Sequence, residues 1–442
     1  MATSERVLAL VQQRDVRFIR LWFTDVLGAL KSFAVAPDEL NHALADGMSF
    51  DGSAIAGFSS VREADMIALP DPRTFAILPY RPTDHSAVAR MICDVRLPGG
   101  ATYEGDPRFV LRRAVERARK LGFDHFRVAP EPEYYYFRDP SGTEVLDHGG
   151  YFDLTTLDAA SDLRRDTVMA LEQMGIDIAY SHHENGPSQH EIDMRYADAL
   201  EAADNVMTYR TIVKEVAHQH GCYATFMPKP LSDEYGSGMH THMSLTREGR
   251  NAFHDEDDPL SLSATGRAFI AGVLRHAREL SLVFAQWVNS YKRLVPGFEA
   301  PVYIGWSRSN RSAIARVPGH HPDRADATRV EFRCPDPACN PYLTFAAFLW
   351  AGLAGIEKGY ELPAEMERNL YRANAAELRA SGIETLPENL GEAIEAAAQS
   401  RLLVDCLGEQ LHARLIELKR AEWAEYRTRV TAWELERYLP RL

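Results

Sequence analysis

FMPKPLSDEYGSGMHTHMSL, Phe226 to Leu245, is the stretch on which the reading of this chain turns. Gly236-Ser237-Gly238 removes the side chain at two of three positions, and a backbone without Cβ atoms lets another group approach closely. His240-Thr241-His242 follows at once. Residues two apart in an extended strand point to one face, so both imidazoles project together. The alternation continues through Met243, Ser244 and Leu245. A glycine anchor leading into a strand with two like-facing histidines fits a site for a charged ligand. A solvated strand face has the same pattern, so the choice depends on whether other strands supply partners.

Other strands do. Glu131-Pro132-Glu133 leads into Tyr134, Tyr135, Tyr136 and Phe137, which puts two carboxylates on one face of an apolar strand. Glu331-Phe332-Arg333 repeats the spacing with one carboxylate and one guanidinium. Glu184 and Glu191 flank a turn-rich loop, Asn185 to His190, able to return the second carboxylate towards the first. Any one pair also reads as an ion pair or a wet strand face. Together they crowd like charges on apolar strands, which costs energy unless a cation neutralises them. Five carboxylates and one imidazole in one cavity suit two hard divalent cations, and oxygen-rich ligation favours magnesium or manganese over zinc. A basic cluster accompanies them: Lys292 and Arg293, then Arg311 and Arg316, then Arg329 and Arg333. Guanidinium forks grip carboxylates and phosphates, so an anionic substrate is expected there. Between the arginine groups, Val295 to Pro301 carries Gly297 and the lone carboxylate of Glu299, the composition of a lid.

Composition narrows the class. The 442 residues are 45% hydrophobic and 25% charged, ordinary for a globular chain with room for two domains and a sizeable core. A net charge of −14 speaks against nucleic acid as the main partner. The five cysteines (Cys93, Cys222, Cys334, Cys339, Cys406) are scattered with no CxxC, as in reduced cytoplasmic proteins. The N-terminus is too charged for a signal peptide. The longest apolar run, Tyr342 to Ile356, falls short of the ~20 residues that span a bilayer. No membrane is therefore expected, and a cytoplasmic location is.

Periodicity divides the chain. A helix over Ser4 to Gln13, with Ser4 as N-cap, precedes a hairpin of Val16 to Thr24 and Leu30 to Val35. A short helix opens at Pro37, Phe50 to Ser53 turns with an exposed carboxylate, and strands follow at Phe75 to Leu78 and Ala87 to Val95. Pro98-Gly99-Gly100 reads as a linker, so residues 1–100 form a small domain and 101–442 a larger one. In the larger part Asp106-Pro107 caps a helix running to Gly122. Helical periodicity recurs over Ser161 to Met174, Ala197 to His218, Ala264 to Tyr291, Pro341 to Gly359 and Glu392 to Thr431. Strands lie between them, and Leu362 to Glu388 reads as an exposed loop region.

FDGSAIAGF, EPEYYYF, SHHENGPSQHEID, GSGMHTHMSL, NSYKRLVPGFEAPV, SNRSA and RVEFRCPDPACNPYLTFAA occur in this order. From about residue 15 to the C-terminus the chain resembles class I glutamine synthetases. The resemblance implies an α+β fold: an N-terminal β-grasp domain and an α/β catalytic domain with a curved antiparallel sheet, as in the glutamine synthetase and guanido kinase group. It implies a homododecamer of two stacked rings, with active sites at subunit interfaces. The implied reaction joins the γ-carboxylate of glutamate to ammonia, with ATP as co-substrate and Mg2+ or Mn2+ in the site. By motif position, Glu133, Glu184 and Glu191 would hold one metal, and Glu131, His240 and Glu331 the other. Arg293, Arg333 and Gly236 would take glutamate; His242, Ser244, Arg316 and Arg329 would take ATP; Arg311 would steady the transferred phosphoryl group. Asp51 would be the amine base, with Ser53, Tyr151 and Glu299 around it. Departures occur at Tyr235, where the family carries Asn, and at Trp306 and Ser309. These border the glutamate and amine pockets, so an organic amine such as a polyamine or ethanolamine stays open as the alternative to ammonia. Tyr371 stands at the family's regulatory tyrosine in changed surroundings and reads as an ordinary loop residue.

Overall fold

The computed structural model describes residues 3–53, 55–57, 65–80, 86–296, 300–319, 324–367 and 382–442. Its first body is built on β1 (Val16–Thr24), β2 (Leu30–Val35), β3 (Met48–Asp51), β4 (Asp65–Pro70), β5 (Ala76–Ile77) and β6 (Ala87–Arg96). Among the described residues these form one sheet in the order β2-β1-β6-β4-β3, with β5 on β6. β1 and β6 run parallel and the other pairs antiparallel. The first helix spans Ser4–Gln13 as expected, but its N-cap is Thr3, whose hydroxyl accepts from Arg6 N, and not Ser4. Val7 and Val11 point into the core, one turn apart.

The second body carries β7 (His125–Phe137), β8 (Ile178–His183), β9 (Gln189–Met194), β10 (Ala197–Asp198), β11 (Tyr223–Thr225), β12 (Met239–Arg247), β13 (Arg250–Asn251), β14 (Tyr303–Ser307), β15 (Ala313–Arg316) and β16 (Val330–Phe332). The main path runs β14-β15-β16-β12-β7-β9-β8. It is antiparallel as expected except at its edge, where β14 and β15 are parallel. Helices Pro107–Lys120, Ala199–Gln219, Ala264–Phe284 and Pro341–Lys358 back the sheet. The last two meet at backbone distance. A Cβ on Gly355 would overlap the Ala268 carbonyl, one on Gly272 the Ala351 carbonyl, and one on Gly352 the Phe269 ring. Among the described residues no helix is long and apolar enough to cross a membrane.

Two long helical expectations break. Ala264 to Tyr291 ends at Phe284, and a separate short helix, Ser290–Arg293, delivers Arg293. Glu392 to Thr431 is three helices, Leu390–Ala398, Arg401–Leu407 and Glu409–Tyr426. The Ser400 hydroxyl caps the second by accepting from Leu403 N, and Gly408 at φ 86 ends it; no periodicity count registers either event. Most of the expected loop Leu362 to Glu388 and all of Tyr371 lie outside the described residues.

The two bodies are joined by buried polar contacts. Asn340 caps Pro341–Lys358, accepting from Tyr342 N, and its Nδ2 donates to the Asp25 and Val26 carbonyls of the β1–β2 turn. Arg108 is buried among three carboxylates: Nη2 reaches Asp71 at 3.0 Å and Asp204 at 2.9 Å, and Nη1 reaches Asp94 at 2.5 Å. Asp71 and Asp94 belong to the first body, Arg108 and Asp204 to the second. Removing the shared cation leaves buried carboxylates unpaired, which costs about 3–5 kcal/mol for such a pair. Arg108→Met should lower the unfolding free energy by about that amount in urea titration. A loss of under about 1 kcal/mol, the scale of a surface pair, would remove this cluster from the forces joining the bodies.

Candidate functional site

Cross-strand register assembles the site on one face of the large sheet. Residues directly opposite each other in a ladder share a face. His240 lies opposite Glu131, and Glu331 opposite both His242 and Arg316. Glu133 lies opposite Glu191, which in turn lies opposite His182. The β8–β9 loop turns tightly, with Ser188 at φ 57 and Glu184 N donating to the Gln189 carbonyl at 2.7 Å. Glu184 thereby stands beside Glu191, as the loop composition suggested. The alternate residues Met239, Thr241, Met243 and Leu245 are wholly buried on the helix side.

The face lines a cavity of about 170 Å³. Thirteen of the residues singled out in the sequence line it: Glu131, Glu133, Tyr151, Glu184, Glu191, Tyr235, Gly236, His240, Arg293, Arg311, Arg316, Glu331 and Arg333. His242 is one step removed. Its Nε2 is 2.7 Å from Glu131 Oε1, while Arg329 Nε donates to its Nδ1 at 3.1 Å. The ring therefore donates to Glu131 from Nε2 and accepts from Arg329 at Nδ1. His240 Nδ1 stands 3.7 Å from oxygens of both Glu131 and Glu331. The structure thus sets both histidines against Glu131. Ser244 is buried two residues further along β12, outside the cavity lining.

The glycines permit a close approach, as their composition suggested. Neither Gly236 nor Gly238 has a positive φ. A Cβ on Gly236 would come 2.8 Å from Arg293 Cγ, and one on Gly238 2.6 Å from Arg293 Nη2. They make room for a protein side chain, Arg293, whose guanidinium is buried and donates to the carbonyls of Arg333, Cys334 and Pro335. The pair Glu331 and Arg333 is in contact, Arg333 Nη1 donating to Glu331 at 3.1 Å, and Arg316 Nε lies 2.5 Å from the other oxygen.

Electrostatically the face has two halves. Burial pulls Glu131 and Glu331 upwards, but His242 with His240 for the first, and His242 with Arg333 for the second, hold both below the usual carboxylate range. On the β9 side burial outweighs the compensation, which for Glu133 comes from Arg293, Gly238 N and Arg333. Burial and the charge of Glu184 push Glu133 up to about 8, and burial with Asp193 pushes Glu191 well up. Asp193 escaped the sequence reading. It sits two residues after Glu191 on the same strand face, so the rule that flagged the other pairs also marks it. It is buried, and burial raises it to about 7. Ligand atoms of His182, Glu184 and Glu191 converge within 4.8 Å, as do those of Glu131, Glu191 and Asp193 and those of Glu131, His242 and Glu331. Buried carboxylates this close, with protons held to high pH, are the donor set of a divalent-cation site.

The amine-side residues are not assembled in one chain. Tyr151 lines the cavity, its ring stacked on Phe152 with centroids 4.0 Å apart. Asp51 and Ser53 lie outside the lining, on the exposed end of β3, where Ser53 N donates to Asp51 at 2.8 Å and its hydrogen bonds hold the carboxyl below its usual range. Glu299 lies outside the described residues.

Comparison with known proteins places these features. The family model described as "Glutamine synthetase, catalytic domain" matches residues 104–438, and that described as "Glutamine synthetase, beta-Grasp domain" matches residues 15–98. The glutamine synthetase of Mycolicibacterium smegmatis is 51% identical over 441 residues, 99% of each chain. That of Methanosarcina mazei is 48% identical over 444 residues, 100% of this chain and 98% of its own. Among solved structures, a GmaS–ADP complex is 32% identical with a TM-score of 0.88 and covers 100% of both chains.

The charge balance predicts a pH dependence. Glu133 keeps its proton in the folded state up to about 8, whereas the unfolded chain releases it near 4.5. The folded state binds more protons across that window, so the stability of the metal-free protein falls as pH rises through it. Glu131 works in the opposite sense, but its contribution is lost only in acid, below the unfolded value of 4.5. A divalent cation replaces the retained protons, so the Tm increase on adding Mg2+ should be larger at about pH 8 than at about pH 6. Equal increases at both pH values in scanning fluorimetry would contradict the proton-retaining β9 half.

Proposed function

Because the chain belongs to the glutamine synthetase family, we propose that it is an ATP-dependent ligase that joins the γ-carboxylate of glutamate to ammonia, giving glutamine, ADP and phosphate. The observation that carries this is the division of one cavity into a carboxylate-rich half suited to divalent cations and an arginine-rich half suited to an anionic substrate.

A carboxylate is a poor electrophile, so its oxygen must first be made a leaving group. Transfer of the ATP γ-phosphoryl group to glutamate gives a γ-glutamyl phosphate, and ammonia displaces phosphate from it. Glu133, Glu184 and Glu191 would hold one cation and Glu131, His240 and Glu331 another, with Mg2+ or Mn2+ favoured by the oxygen-rich donors. Bound there, the ions supply charge neutralisation around the transferring phosphoryl group. Arg311, which lines the cavity, steadies that group as charge develops. Arg333 and Arg293 face the α-carboxylate, and the Gly236 backbone its amino group. His242, Ser244, Arg316 and Arg329 take the nucleotide side.

Ammonium has no lone pair and must lose a proton before its nitrogen can attack the acyl phosphate. Asp51 is the base we assign, with Ser53, Tyr151 and Glu299 completing the ammonium pocket and Glu299 closing it. The exposed position of Asp51, away from its own chain's cavity, supports a ring-shaped homo-oligomer in which the small body of one subunit completes the site of the next. Five cysteines without a disulfide support a cytoplasmic location. Relatives 46–51% identical over nearly the whole chain are named for glutamine formation, which favours ammonia over a polyamine or ethanolamine.

The test is an amine panel with the purified protein, glutamate, ATP and Mg2+ or Mn2+, scored by the mass of the γ-glutamyl product. Ammonia should give glutamine and phosphate in equal amounts, with a kcat/KM at least about 10-fold above that for ethanolamine or putrescine. A γ-glutamylamine from putrescine with no glutamine from ammonia would reverse the assignment. Asp51→Ala should cut glutamine formation by about 100-fold or more while nucleotide affinity stays within a few-fold. Equal loss of both would remove Asp51 from the role of base.

A further inference from the structure

Beneath the cavity lies a buried cluster that the mechanism above does not use. The Asp147 carboxylate accepts four hydrogen bonds. Oδ1 takes them from His183 Nε2 at 2.9 Å, Ser188 N at 2.9 Å and Gly149 N at 3.2 Å, and Oδ2 from Ala159 N at 3.0 Å. His183 is fully buried, and its other nitrogen, Nδ1, lies 2.7 Å from the Glu184 carbonyl. A carbonyl and a carboxylate both only accept, so both ring nitrogens of His183 donate and the ring is an imidazolium. The Ser188 hydroxyl accepts from the backbone of Leu146 and Asp147 at 2.6 and 3.0 Å. Phe152 N donates to the His183 carbonyl at 3.1 Å. Gly149 permits this approach: a Cβ there would stand 2.8 Å from His183 Nε2 and 2.7 Å from the Leu157 carbonyl.

Two loops meet at this one carboxylate. The segment 147–153 carries Tyr151 to the cavity, and the segment 184–189 carries Glu184. We propose that Asp147 and His183 are a positioning pair that fixes these loops relative to each other, so that the metal ligand Glu184 and the amine-pocket residue Tyr151 are set by one hydrogen-bonded hub. The proposal rests on the roles assigned above to Glu184 and Tyr151.

A buried metal is the rival for the same residues, since ligand atoms of Asp147, His183 and His190 lie within 4.8 Å of one another. Three contacts oppose it. Both nitrogens of His183 are already donating. Arg164 places a guanidinium nitrogen 2.8 Å from His190 Nδ1, a fixed cation where another would have to sit. With Nδ1 accepting from Arg164, His190 carries its proton on Nε2 and has no lone pair left there for coordination.

The test uses the full-length protein with Asp147→Ala, Asp147→Asn and Glu184→Gln. The readouts are Mn2+ affinity by electron paramagnetic resonance, KM for ammonia and for ATP, and metal content after dialysis. Outer hydrogen-bond partners of ligands are worth about 10–100-fold in metal affinity. Asp147→Ala should therefore weaken Mn2+ binding and raise the KM for ammonia each by about 10-fold, with the KM for ATP nearly unchanged. Asp147→Asn keeps the Oδ1 acceptor and its three donors but loses the charge and the Oδ2 acceptor of Ala159 N, so it should fold even where the alanine variant does not, and shift both quantities in the same direction by a smaller factor. A purely structural role would lower Tm without separating the two KM values, and that result overturns the proposal. So does wild-type Mn2+ affinity in Asp147→Asn while Glu184→Gln loses it, or a transition metal retained in proportion to Asp147. If Glu184→Gln itself binds Mn2+ normally, the metal assignment fails first and the proposal falls with it.

Discussion

The register between β7 and β12 is the constraint on which the rest depends. Eight consecutive pairs, from Met239 opposite Pro132 to Thr246 opposite His125, decide which side chains face the cavity. A slip of one residue would exchange the two faces of the strand, sending Glu131 and Glu133 into the helix layer and Met239 and Met243 into the polar cleft. Several contacts hold the register at once. Tyr209, from the helix behind, donates to the Pro132 carbonyl at 3.0 Å. Glu133 and Gly238 are joined twice, by the Glu133 N to Gly238 carbonyl bond and by Gly238 N to the Glu133 carboxylate, both at 2.9 Å. The wholly buried Met239, Met243 and Leu245 resist exposure on the other side.

That register also creates the electrostatic problem the site exploits. It stacks carboxylates from β7, β9, β16 and the β8–β9 loop on one surface. The protein answers it unequally. Arg316, Arg333 and the two histidines surround Glu331 and Glu131, so that half holds its charge without help. Burial outweighs the cations around Glu133, Glu191 and Asp193, and these carboxyls hold their protons above the usual range instead. The imbalance separates a half whose carboxylates are met by the protein's own cations from a half whose carboxylates are not, within a cavity of about 170 Å³.

Much of this was legible because strand periodicity needs no tertiary information. Two-apart spacing alone put Glu131 with Glu133, His240 with His242 and Glu331 with Arg333 on common faces. Asp193 was legible by the same rule and overlooked beside the more conspicuous Glu184–Glu191 loop. The purpose of Gly236 and Gly238 was not legible, because the side chain they admit, Arg293, arrives from a helix more than fifty residues later. The surroundings of the two histidines also depend on lateral contacts, since both face Glu131 and Arg329 from a neighbouring segment donates to His242 Nδ1. The breaks after Phe284 and at Gly408 escaped because both flanks of each break share helical periodicity. The short strands β14 and β15 are defined by their partners more than by their composition. Asp51 lay beyond what periodicity could place: spacing put it in a turn, and the structure puts it at the exposed end of β3, outside the cavity lining.

The glycine seam between helices Ala264–Phe284 and Pro341–Lys358 has a mechanical consequence. Helices in backbone contact leave no slack for one to slide past the other, and close-packed interiors transmit displacement instead of absorbing it. The carboxylate-bearing sheet is therefore backed by a layer with little slack. Substitution within such a scaffold is easier among the residues lining the cavity, such as Tyr151 and Tyr235, than in the glycine-packed layer behind the sheet.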